Sequence, residues 1–350
     1  MTAAVLLVGG GRFVGRRLLL ALLDCGYQVD VLNRGLARAS DDLPPGARHL
    51  RADREDAFAM RDAIGGRSYS AVFDTSGYRP RHVRTVLGSV TAERYVYISS
   101  CMVYSALAPV AATADVPEVG PLSEDDETVA PCENEDGDLA VYYASYKRGC
   151  ELALLAQDRV PAIVLRPCGI YGAGDYWYRH DYFFDRLVRG RPVLIPDSHY
   201  GRKVHLTSVD GLTTVCLLAA QRPARGHQVL NVVDADAATC AELTELCAQA
   251  AGVSSAVRGY PAAMASTAVP HARDRARFPF GPEPGFSLSG TRAARALDWH
   301  GTSLREGTSA LFADFERRRT AGLVGKPDFT LDDALLRMLR ASPGPGGKPR

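Results

Sequence analysis

Residues 5 to 23, VLLVGGGRFVGRRLLLALL, join an apolar run to a helical pattern through three consecutive glycines. An apolar run that stops at glycine predicts a β-strand, and the apolar spacing that follows predicts a helix over residues 16 to 25. Glycine allows the backbone to turn sharply between two such elements. The segment therefore predicts a strand–turn–helix unit, the building block of parallel α/β sheets.

The same alternation continues along the chain and indicates the fold class. A helical pattern covers residues 55 to 64, and the other apolar runs have the length of strands. These runs are YQVDVLN, ARHLRAD, YSAVFDTSG, RYVYISS, AIVLRPCGIYG at 162 to 172 and QVLNVVD at 228 to 234. Strands that alternate with helices predict an α/β fold with a Rossmann-like, doubly wound parallel sheet and right-handed crossovers.

Composition excludes some classes of function. The 41 Lys and Arg residues nearly balance 40 Asp and Glu residues, so the chain carries no net charge that would favour nucleic acid. We see no membrane-length apolar run and no secretory signal, and expect no membrane partner. The eight cysteines form no CxxC pair and no zinc spacing, and nothing fixes a metal geometry in the acidic run 123 to 127, so we expect no metal and a reducing, cytoplasmic setting.

The glycine segment is a candidate pyrophosphate site. Gly9, Arg12 and Gly15 occupy a GxxGxxG frame whose middle glycine is replaced, between a strand and a helix. Small residues let the backbone approach a pyrophosphate, and the following helix N-terminus attracts its charge. The turn residues that would contact a cofactor here also include Gly11, Phe13 and Val14. The alternative is a tight turn with no ligand.

The end of the second strand bears on the choice of cofactor. An NAD site usually carries an acid there, whereas this chain has Asn33 and Arg34. Arg12 and Arg34 together are suited to clamp the 2′-phosphate of NADP, and Asp53 is placed to meet the adenine edge. The alternative is that both arginines are solvated and that Asn33 serves the ribose of NAD, so NADP is favoured and NAD stays open.

Tyr143 and Lys147, in YYASYK, supply candidate acid–base chemistry. In a helix the two residues are one turn apart and share a face. A lysine ammonium beside a phenol stabilises the phenolate, so we expect a lowered Tyr143 pKa and a usable base near neutral pH. YxxxK also occurs by chance in structural helices.

Taken together and in order, several segments resemble the extended short-chain dehydrogenases/reductases of the NAD-dependent epimerase/dehydratase family. The resemblance covers about residues 4 to 315. The segments are VGGGRFVG, YVYISSCMVY (95 to 104), YASYKRGCE (143 to 151), LRPCGIYGAGD (165 to 175), GRKVHLTSVDGL (201 to 212) and SGTRAARALDWHGTSLREG (289 to 307). GGGRFVG and KPDFTLDDALL (326 to 336) further resemble a divergent branch that includes the chloroplast stem-loop binding proteins.

The resemblance implies a domain organisation. Residues 1 to 165 with 202 to 234 would form the NAD(P)-binding domain, and 166 to 201 with 235 to 330 a smaller substrate-binding lobe. Residues 331 to 350 would be a partly disordered tail, and 105 to 141 a surface loop or lid. Members of the family often pair through two helices, which implies a homodimer.

The resemblance also implies roles for individual residues. Tyr143 and Lys147 would be the catalytic pair, and Ser100 would orient the substrate oxygen. Tyr143 would take a proton from a sugar hydroxyl while a hydride passes to the nicotinamide, and a transient keto-sugar would be reduced on its other face. The further cofactor contacts implied are Arg54, Thr75, Ser76, Gly77 and Pro167.

Departures from the family pattern affect the substrate prediction. Cys101 and Met102 stand where dehydratases tend to carry an Asp-Glu pair, which lowers the prospect of dehydration. Gly169 replaces an asparagine that commonly touches a nucleotide sugar. The residues that could contact substrate are Tyr78, Cys101, Cys168, Gly169, Tyr178, His180 and Arg202. The alternatives are a buried cysteine, a structural histidine and an exposed loop arginine at positions 101, 180 and 202, and core packing for the aromatic residues of 175 to 190.

Three hypotheses follow. The first is a nucleotide-sugar epimerase or related NAD(P)-dependent sugar oxidoreductase. The second is a net NADPH-dependent reductase of a substrate that is not a nucleotide, suggested by Gly169 and the arginines. The third is an RNA-binding protein that retains the fold, which the near-zero net charge disfavours.

Overall fold

The computed structural model describes residues 3–35, 43–107, 121–201, 203–223, 226–268, 278–280 and 287–341. Arg202 lies outside these residues, as do positions 108 to 120 of the expected surface loop and 342 to 350 of the expected tail. The fold is described for the remaining chain.

The strands of the described chain are short and regularly spaced. In chain order they are β1 Ala4–Val8, β2 Gln28–Asn33, β3 Ala47–Arg51, β4 Ser68–Tyr69, β5 Ala71–Asp74, β6 Thr91–Ala92, β7 Tyr95–Ile98, β8 Ala162–Pro167, β9 Ile170–Tyr171, β10 Val193–Pro196, β11 Val204–His205, β12 Thr207–Ser208, β13 Gln228–Val232, β14 Ala237–Ala238 and β15 Val257–Tyr260.

Helices connect most of these strands. They are α1 Phe13–Asp24, α2 Ala57–Ile64, α3 Pro80–Ser89, α4 Leu139–Leu155, α5 Arg179–Leu187, α6 Asp197–Tyr200, α7 Val209–Gln221, α8 Cys240–Ala251, α9 Ala263–Ala268, α10 Thr291–Leu297, α11 Leu304–Thr320 and α12 Thr330–Ala341. A 3-10 helix spans Cys101–Leu107.

Seven strands form a central parallel sheet in the order β13-β8-β7-β5-β1-β2-β3. The chain winds outwards from β1 in both directions, so the strand order reverses between β1 and β5. The predicted doubly wound α/β class is confirmed. In such sheets ligands bind beyond the carboxyl ends of the strands, near the point of reversal.

Two apolar layers cover the sheet. Side chains of α1 and α7 share one buried cluster with the sheet, and side chains of α2, α3 and α4 share the other. Apolar residues on both faces of β1 are buried, which explains why the sequence there is a continuous apolar run rather than an alternating one.

A further apolar cluster surrounds the aromatic side chains of α5. Tyr182, Phe183 and Phe184 are buried with apolar residues of α8 and α11. Tyr176 and Trp177, from the same sequence segment, are exposed instead. The core interpretation therefore holds for the helix, whereas the loop before it presents aromatic rings to solvent.

The segment expected to be a tail contains a packed helix. Leu331 and Leu335 of α12 are buried. Asp332 accepts two hydrogen bonds from the buried guanidinium of Arg186, at 2.8 and 2.7 Å. The folded part of the chain thus continues to Ala341, because a buried ion pair fixes a segment that the sequence analysis placed outside the lobe.

No helix in the described ranges combines the length and apolar character that crossing a membrane requires.

Candidate active site

The glycine turn lies between β1 and α1, at the carboxyl edge of the sheet. Gly9 and Gly10 have φ of 121° and 80°, values that favour glycine. A Cβ atom at Gly15 would lie 2.6 Å from the backbone nitrogen of Gly10, so helix and turn approach too closely for any side chain. Arg12, the residue before α1, makes no side-chain capping hydrogen bond. The first N–H groups of α1 are therefore open to an anionic group.

Polar side chains from neighbouring strands line this cradle. Thr75 Oγ1 donates to the Val8 carbonyl at 3.2 Å and would clash with a Cβ atom at Gly9. Ser76 also donates to the Val8 carbonyl. The structure thus brings together the predicted residues Gly9, Gly15, Thr75 and Ser76 around one turn. Because its glycines have no side chains, the turn leaves the space that a dinucleotide pyrophosphate requires.

Asn33 has a structural role at the end of β2. Its amide nitrogen donates to the Gly9 carbonyl at 3.1 Å, and its oxygen accepts from the Gly35 backbone and contacts His49 Nε2. Its side chain therefore ties β2 to the glycine turn. The sequence does not predict these hydrogen bonds, because neither Gly35 nor His49 belongs to a recognisable motif.

Arg34 and Arg12 present cationic groups beside the turn. Arg34 is exposed and lies 3.9 Å from Asp53, its nearest carboxylate. Arg12 is also exposed, and among the described residues it forms no ion pair or side-chain hydrogen bond. Both guanidinium groups are available to an anion, as the sequence analysis expects of a 2′-phosphate clamp.

Arg54 is not open to a ligand in the same way. Its guanidinium donates to both oxygens of Asp74, at 2.9 and 2.6 Å, and to Ser76 Oγ. Burial lowers the pKa of Arg54, but the Asp74 carboxylate outweighs that effect and the net direction is upward. The same carboxylate accepts from the Tyr95 hydroxyl. Arg54 therefore links the loop that follows β3 to the end of β5.

Lys147 lies on α4 and is buried. Its Nζ donates to the carbonyls of Gly77 and Ile98, at 3.0 and 2.8 Å, and lies 4.9 Å from the centre of the Tyr97 ring. Burial is the largest influence and lowers the pKa of Lys147 to about 8. The ammonium is thus held by backbone carbonyls from two strand ends.

Tyr143 lies one turn before Lys147 and beside Ser100. The Ser100 hydroxyl lies close enough to the Tyr143 phenol to lower its pKa, and the Tyr78 ring packs against the Tyr143 ring with centres 6.4 Å apart. The predicted Ser100, Tyr143 and Lys147 are therefore brought together, with Tyr78 adjacent.

The sequence predicts that Lys147 lowers the pKa of Tyr143, and this prediction is wrong when only the groups of the protein itself are considered. Burial raises this pKa above its ordinary value, Tyr78 raises it further, and the Ser100 hydrogen bond only partly opposes them. The reason is geometric: the Lys147 Nζ is turned to two carbonyls and lies 5.9 Å from the Tyr143 ring centre. In the protein without a bound ligand, the Tyr143 hydroxyl is therefore protonated at neutral pH.

Two cysteines and a glycine follow the ends of β7 and β8. Cys101 and Cys168 are both buried in one small apolar cluster, and Cys168 is the largest influence on the Cys101 pKa. Gly169 has φ of 50°, and a Cβ atom there would lie 2.7 Å from Leu206. A side chain at this position would therefore require Leu206 to shift. Pro167 is buried at the end of β8.

The loop before α5 contributes rings rather than charged groups. Tyr176 packs edge-on against Phe13 of the glycine turn, with ring centres 6.1 Å apart. Tyr178 adopts a left-handed conformation with φ of 52° where α5 begins. His180 is buried and stacks on Tyr171 at 4.8 Å. Burial lowers the His180 pKa to about 3, so it stays neutral.

No model of a known protein family matches the chain. Two characterised proteins are similar in sequence. Chloroplast stem-loop binding protein of 41 kDa b from Arabidopsis thaliana is 27% identical over 351 residues, which is 95% of this chain and 84% of that protein. The 2-alkyl-3-oxoalkanoate reductase of Stenotrophomonas maltophilia is 28% identical over 233 residues, which is 63% of this chain and 66% of the reductase.

Solved structures share the fold. UDP-glucose 4-epimerase from Thermotoga maritima, solved with UDP-glucose, has a TM-score of 0.67 at 20% identity, over 90% of this chain and 99% of that one. UDP-glucuronic acid 4-epimerase from Bacillus cereus, solved with UDP-glucuronic acid and NAD, has a TM-score of 0.62 at 15% identity, with coverage of 90% and 99%.

The resemblance identified from the sequence motifs is confirmed at the level of the fold. The chain has the fold of the extended short-chain dehydrogenases/reductases of the epimerase/dehydratase family. Its similarity to the stem-loop binding protein extends over nearly the whole chain, as the motifs GGGRFVG and KPDFTLDDALL had indicated.

Proposed function

We propose that this protein is an NAD(P)-dependent oxidoreductase that acts on a nucleotide sugar, as an epimerase working through a transient keto intermediate. The observation that carries the proposal is the grouping of Ser100 and Tyr143 with the buried Lys147, whose Nζ is fixed by the Ile98 carbonyl. This group lies at the same sheet edge as the open glycine turn. A nicotinamide bound there would exchange a hydride with a substrate carbon.

The protein's own contribution is proton transfer at the Tyr143 hydroxyl. A substrate oxygen within reach of Ser100 and Tyr143 would accept hydrogen bonds from both. Because its pKa is raised, Tyr143 carries the proton that a carbonyl oxygen takes up when the carbon is reduced. In the opposite direction the Tyr143 phenolate would take the hydroxyl proton, while Lys147 keeps its charge at the Gly77 and Ile98 carbonyls, 5.9 Å from the Tyr143 ring centre.

NADP is the favoured cofactor, and NAD stays open. Arg12 and Arg34 support NADP because both are exposed beside the glycine turn and, within the described ranges, Arg34 has one carboxylate partner, Asp53 at 3.9 Å. Asn33 does not favour NAD, since its side chain is occupied by the turn itself. The solved UDP-glucuronic acid 4-epimerase holds NAD, which is why both cofactors belong in the experiment.

The substrate class rests on the epimerase structures and on the residues that follow Ser100. Those structures hold UDP-glucose and UDP-glucuronic acid. Cys101 and Met102 offer no carboxylate pair, which makes epimerisation a better match than dehydration.

The experiment is product analysis by NMR. The purified protein is incubated with UDP-glucose or UDP-glucuronic acid and either nicotinamide cofactor, alongside the Tyr143→Phe variant. We expect the wild type to form the C4 epimer with no net change in nicotinamide absorbance and the variant to form none. A product in the Tyr143→Phe sample at the wild-type rate would refute the assignment of Tyr143.

A net reductase is the second candidate. It is favoured by the similarity to 2-alkyl-3-oxoalkanoate reductase and by Gly169, which lacks the amide that an asparagine would offer a nucleotide sugar. This candidate predicts stoichiometric oxidation of NADPH with a carbonyl substrate such as a 2-alkyl-3-oxoalkanoate. Substrate conversion without NADPH consumption counts against it.

Stem-loop binding is the third candidate, and the similarity to the chloroplast stem-loop binding protein favours it. Titration of a labelled RNA stem-loop, at low and raised salt, tests it directly. A salt-sensitive shift at micromolar protein would support this function, whereas no shift at low salt would remove it.

A further inference from the structure

Cys101 and Cys168 occupy matching positions beyond two neighbouring strands. In the parallel register of β7 and β8, Ile98 is paired with Leu165, and each cysteine is the third residue after its member of that pair. The Ser99 N–H donates to the Leu165 carbonyl at 2.7 Å, so the alignment continues past the last paired residue. Adjacent strands are about 4.8 Å apart. That spacing falls within the Cα separation of about 4.4 to 6.8 Å that a disulfide requires.

The two side chains belong to one small apolar cluster. Consistent with this proximity, Cys168 is the largest single influence on the Cys101 pKa. Cys168 is fixed from the backbone, because its N–H donates to Thr207 Oγ1 at 2.9 Å. Cys101 begins a 3-10 helix. A disulfide between Cys101 and Cys168 would therefore require little movement of either residue.

The surroundings of Cys101 favour its thiolate. The hydrogen bond with Cys168 is the largest influence and lowers the Cys101 pKa; burial opposes it, and the Gly169 N–H and the Ser100 hydroxyl support it. Other buried cysteines behave in the opposite way: burial raises the pKa of Cys216 and Cys240 to about 12. Cys101 thus differs from cysteines that serve only as apolar core.

We propose that Cys101 and Cys168 form a reversible disulfide in the candidate active site when the protein meets a peroxide. The Cys101 thiolate attacks one peroxide oxygen, the O–O bond breaks, and a sulfenic acid and one water form. The Cys168 sulfur then displaces the hydroxyl group from Cys101, and a second water leaves. In total two thiols lose two electrons and two protons to the peroxide, and a dithiol reductant reverses the change.

The disulfide would link the positions next to Ser100 and Gly169. It would fix the segment between β7 and the 3-10 helix against the segment between β8 and β9, where the substrate oxygen is proposed to bind. The formation of the bond does not depend on the proposed function, because it requires only the two thiols and an oxidant.

Peptide mapping of the full-length protein tests the proposal. In a Cys132→Ser background, trypsin releases Cys101 in the peptide 95–147 and Cys168 in the peptide 160–179, with no other cysteine in either. The protein is treated with hydrogen peroxide, blocked with iodoacetamide in denaturant and digested. We expect a cross-linked pair of these peptides, a loss of two titratable thiols, and recovery of both after dithiothreitol.

Two variants provide the matched comparison. Cys132→Ser alone should keep the cross-link, because Cys132 lies in the loop before α4. Cys168→Ser should lose it and leave Cys101 as a sulfenic acid that dimedone traps. The proposal is overturned if the treated Cys132→Ser protein yields both peptides separately alkylated, or if Cys101 is joined to any cysteine other than Cys168. That mapping decides the question even if Cys168→Ser fails to fold.

Discussion

The Nζ atom of Lys147 donates a hydrogen bond to the carbonyl oxygen of Ile98 at 2.8 Å and thereby ties the middle of α4 to the end of β7. Ser100 follows Ile98 by two residues, and Tyr143 precedes Lys147 by one helical turn. One buried contact therefore sets the distance between the two hydroxyl groups that the proposed chemistry uses. We therefore expect a positioning role for Lys147 in addition to the proposed electrostatic one.

Replacing Tyr143 with phenylalanine removes the hydroxyl and keeps the ring that packs on Tyr78. We expect kcat to fall by roughly 10²- to 10⁴-fold, the usual contribution of a positioned acid or base. Folding and cofactor affinity should stay unchanged in circular dichroism and cofactor titration. Tyr142→Phe is the matched control, since Tyr142 is exposed on the same helix. Equal loss in both variants would argue against a special role for Tyr143.

The buried Lys147 gives a pH dependence of known sign. Burial lowers its pKa from 10.5 to about 8, so below pH 8 the folded and unfolded chains both carry the charge and the burial cost is complete. Between pH 8 and 10.5 the unfolded chain binds more protons, and the free energy of unfolding rises with pH through this group. Relative to Lys147→Met, the wild type should gain roughly 3 kcal/mol over that range in urea unfolding. A flat difference between the two proteins would contradict the lowered pKa.

Arg34→Ala should weaken NADP far more than NAD. A charge-assisted hydrogen bond contributes about 1.5 to 3 kcal/mol, so we expect roughly a 10- to 100-fold loss for NADP and little change for NAD. Isothermal titration calorimetry measures both. Arg17→Ala is the control, because Arg17 pairs with Asp210 on the exposed side of α1. If Arg34→Ala loses both cofactors equally, Arg34 does not bind the 2′-phosphate.

Asp332→Ala should lower the free energy of unfolding. The change leaves the buried Arg186 without its carboxylate, and an uncompensated buried charge costs about 3 to 5 kcal/mol. Asp333→Ala removes a neighbouring carboxylate that pairs with Arg191 at the surface, and should cost less than about 1 kcal/mol. Denaturant unfolding compares the two. Equal stabilities would show that α12 is not held by the Arg186–Asp332 pair.

The expected homodimer can be tested on α4. Val141 and Leu152 lie three turns apart on one face, with 74% and 36% of their surface exposed. We expect a dimer in light scattering for the wild type and a monomer for Val141→Glu/Leu152→Glu, because a charge opposes burial of that face. Phe58→Glu, at an equally exposed apolar position on α2, should leave the dimer intact. A monomeric wild type would overturn the prediction.

Local motifs explain what the sequence could predict. The glycine turn and the Tyr143–Lys147 spacing each lie within one short segment, and glycine conformation and helical periodicity decide their geometry. Part of the sheet was predictable because strands such as β1, β5 and β7 consist mainly of apolar residues. The position of Ser100 followed from the resemblance alone, since a serine after a strand has no signature of its own.

Long-range pairing explains what the sequence missed. Arg54 pairs with Asp74, which is 20 residues away in the sequence, and Arg186 pairs with Asp332, which is 146 residues away. Neither pair has a spacing that a sequence pattern could reveal. The Tyr143 pKa was misjudged for a related reason: the direction in which Lys147 points depends on the carbonyls of Gly77 and Ile98, which belong to other elements.

Cofactor binding tests the central claim most directly. The purified protein is denatured, any released nicotinamide is identified by mass spectrometry, and NAD and NADP are then titrated into the wild type and into Gly15→Val, whose side chain would overlap the Gly10 backbone. We predict one nicotinamide dinucleotide per chain in the wild type, with NADP preferred, and none in a folded Gly15→Val. A wild type that holds and binds neither dinucleotide would contradict an oxidoreductase function and direct attention to stem-loop binding.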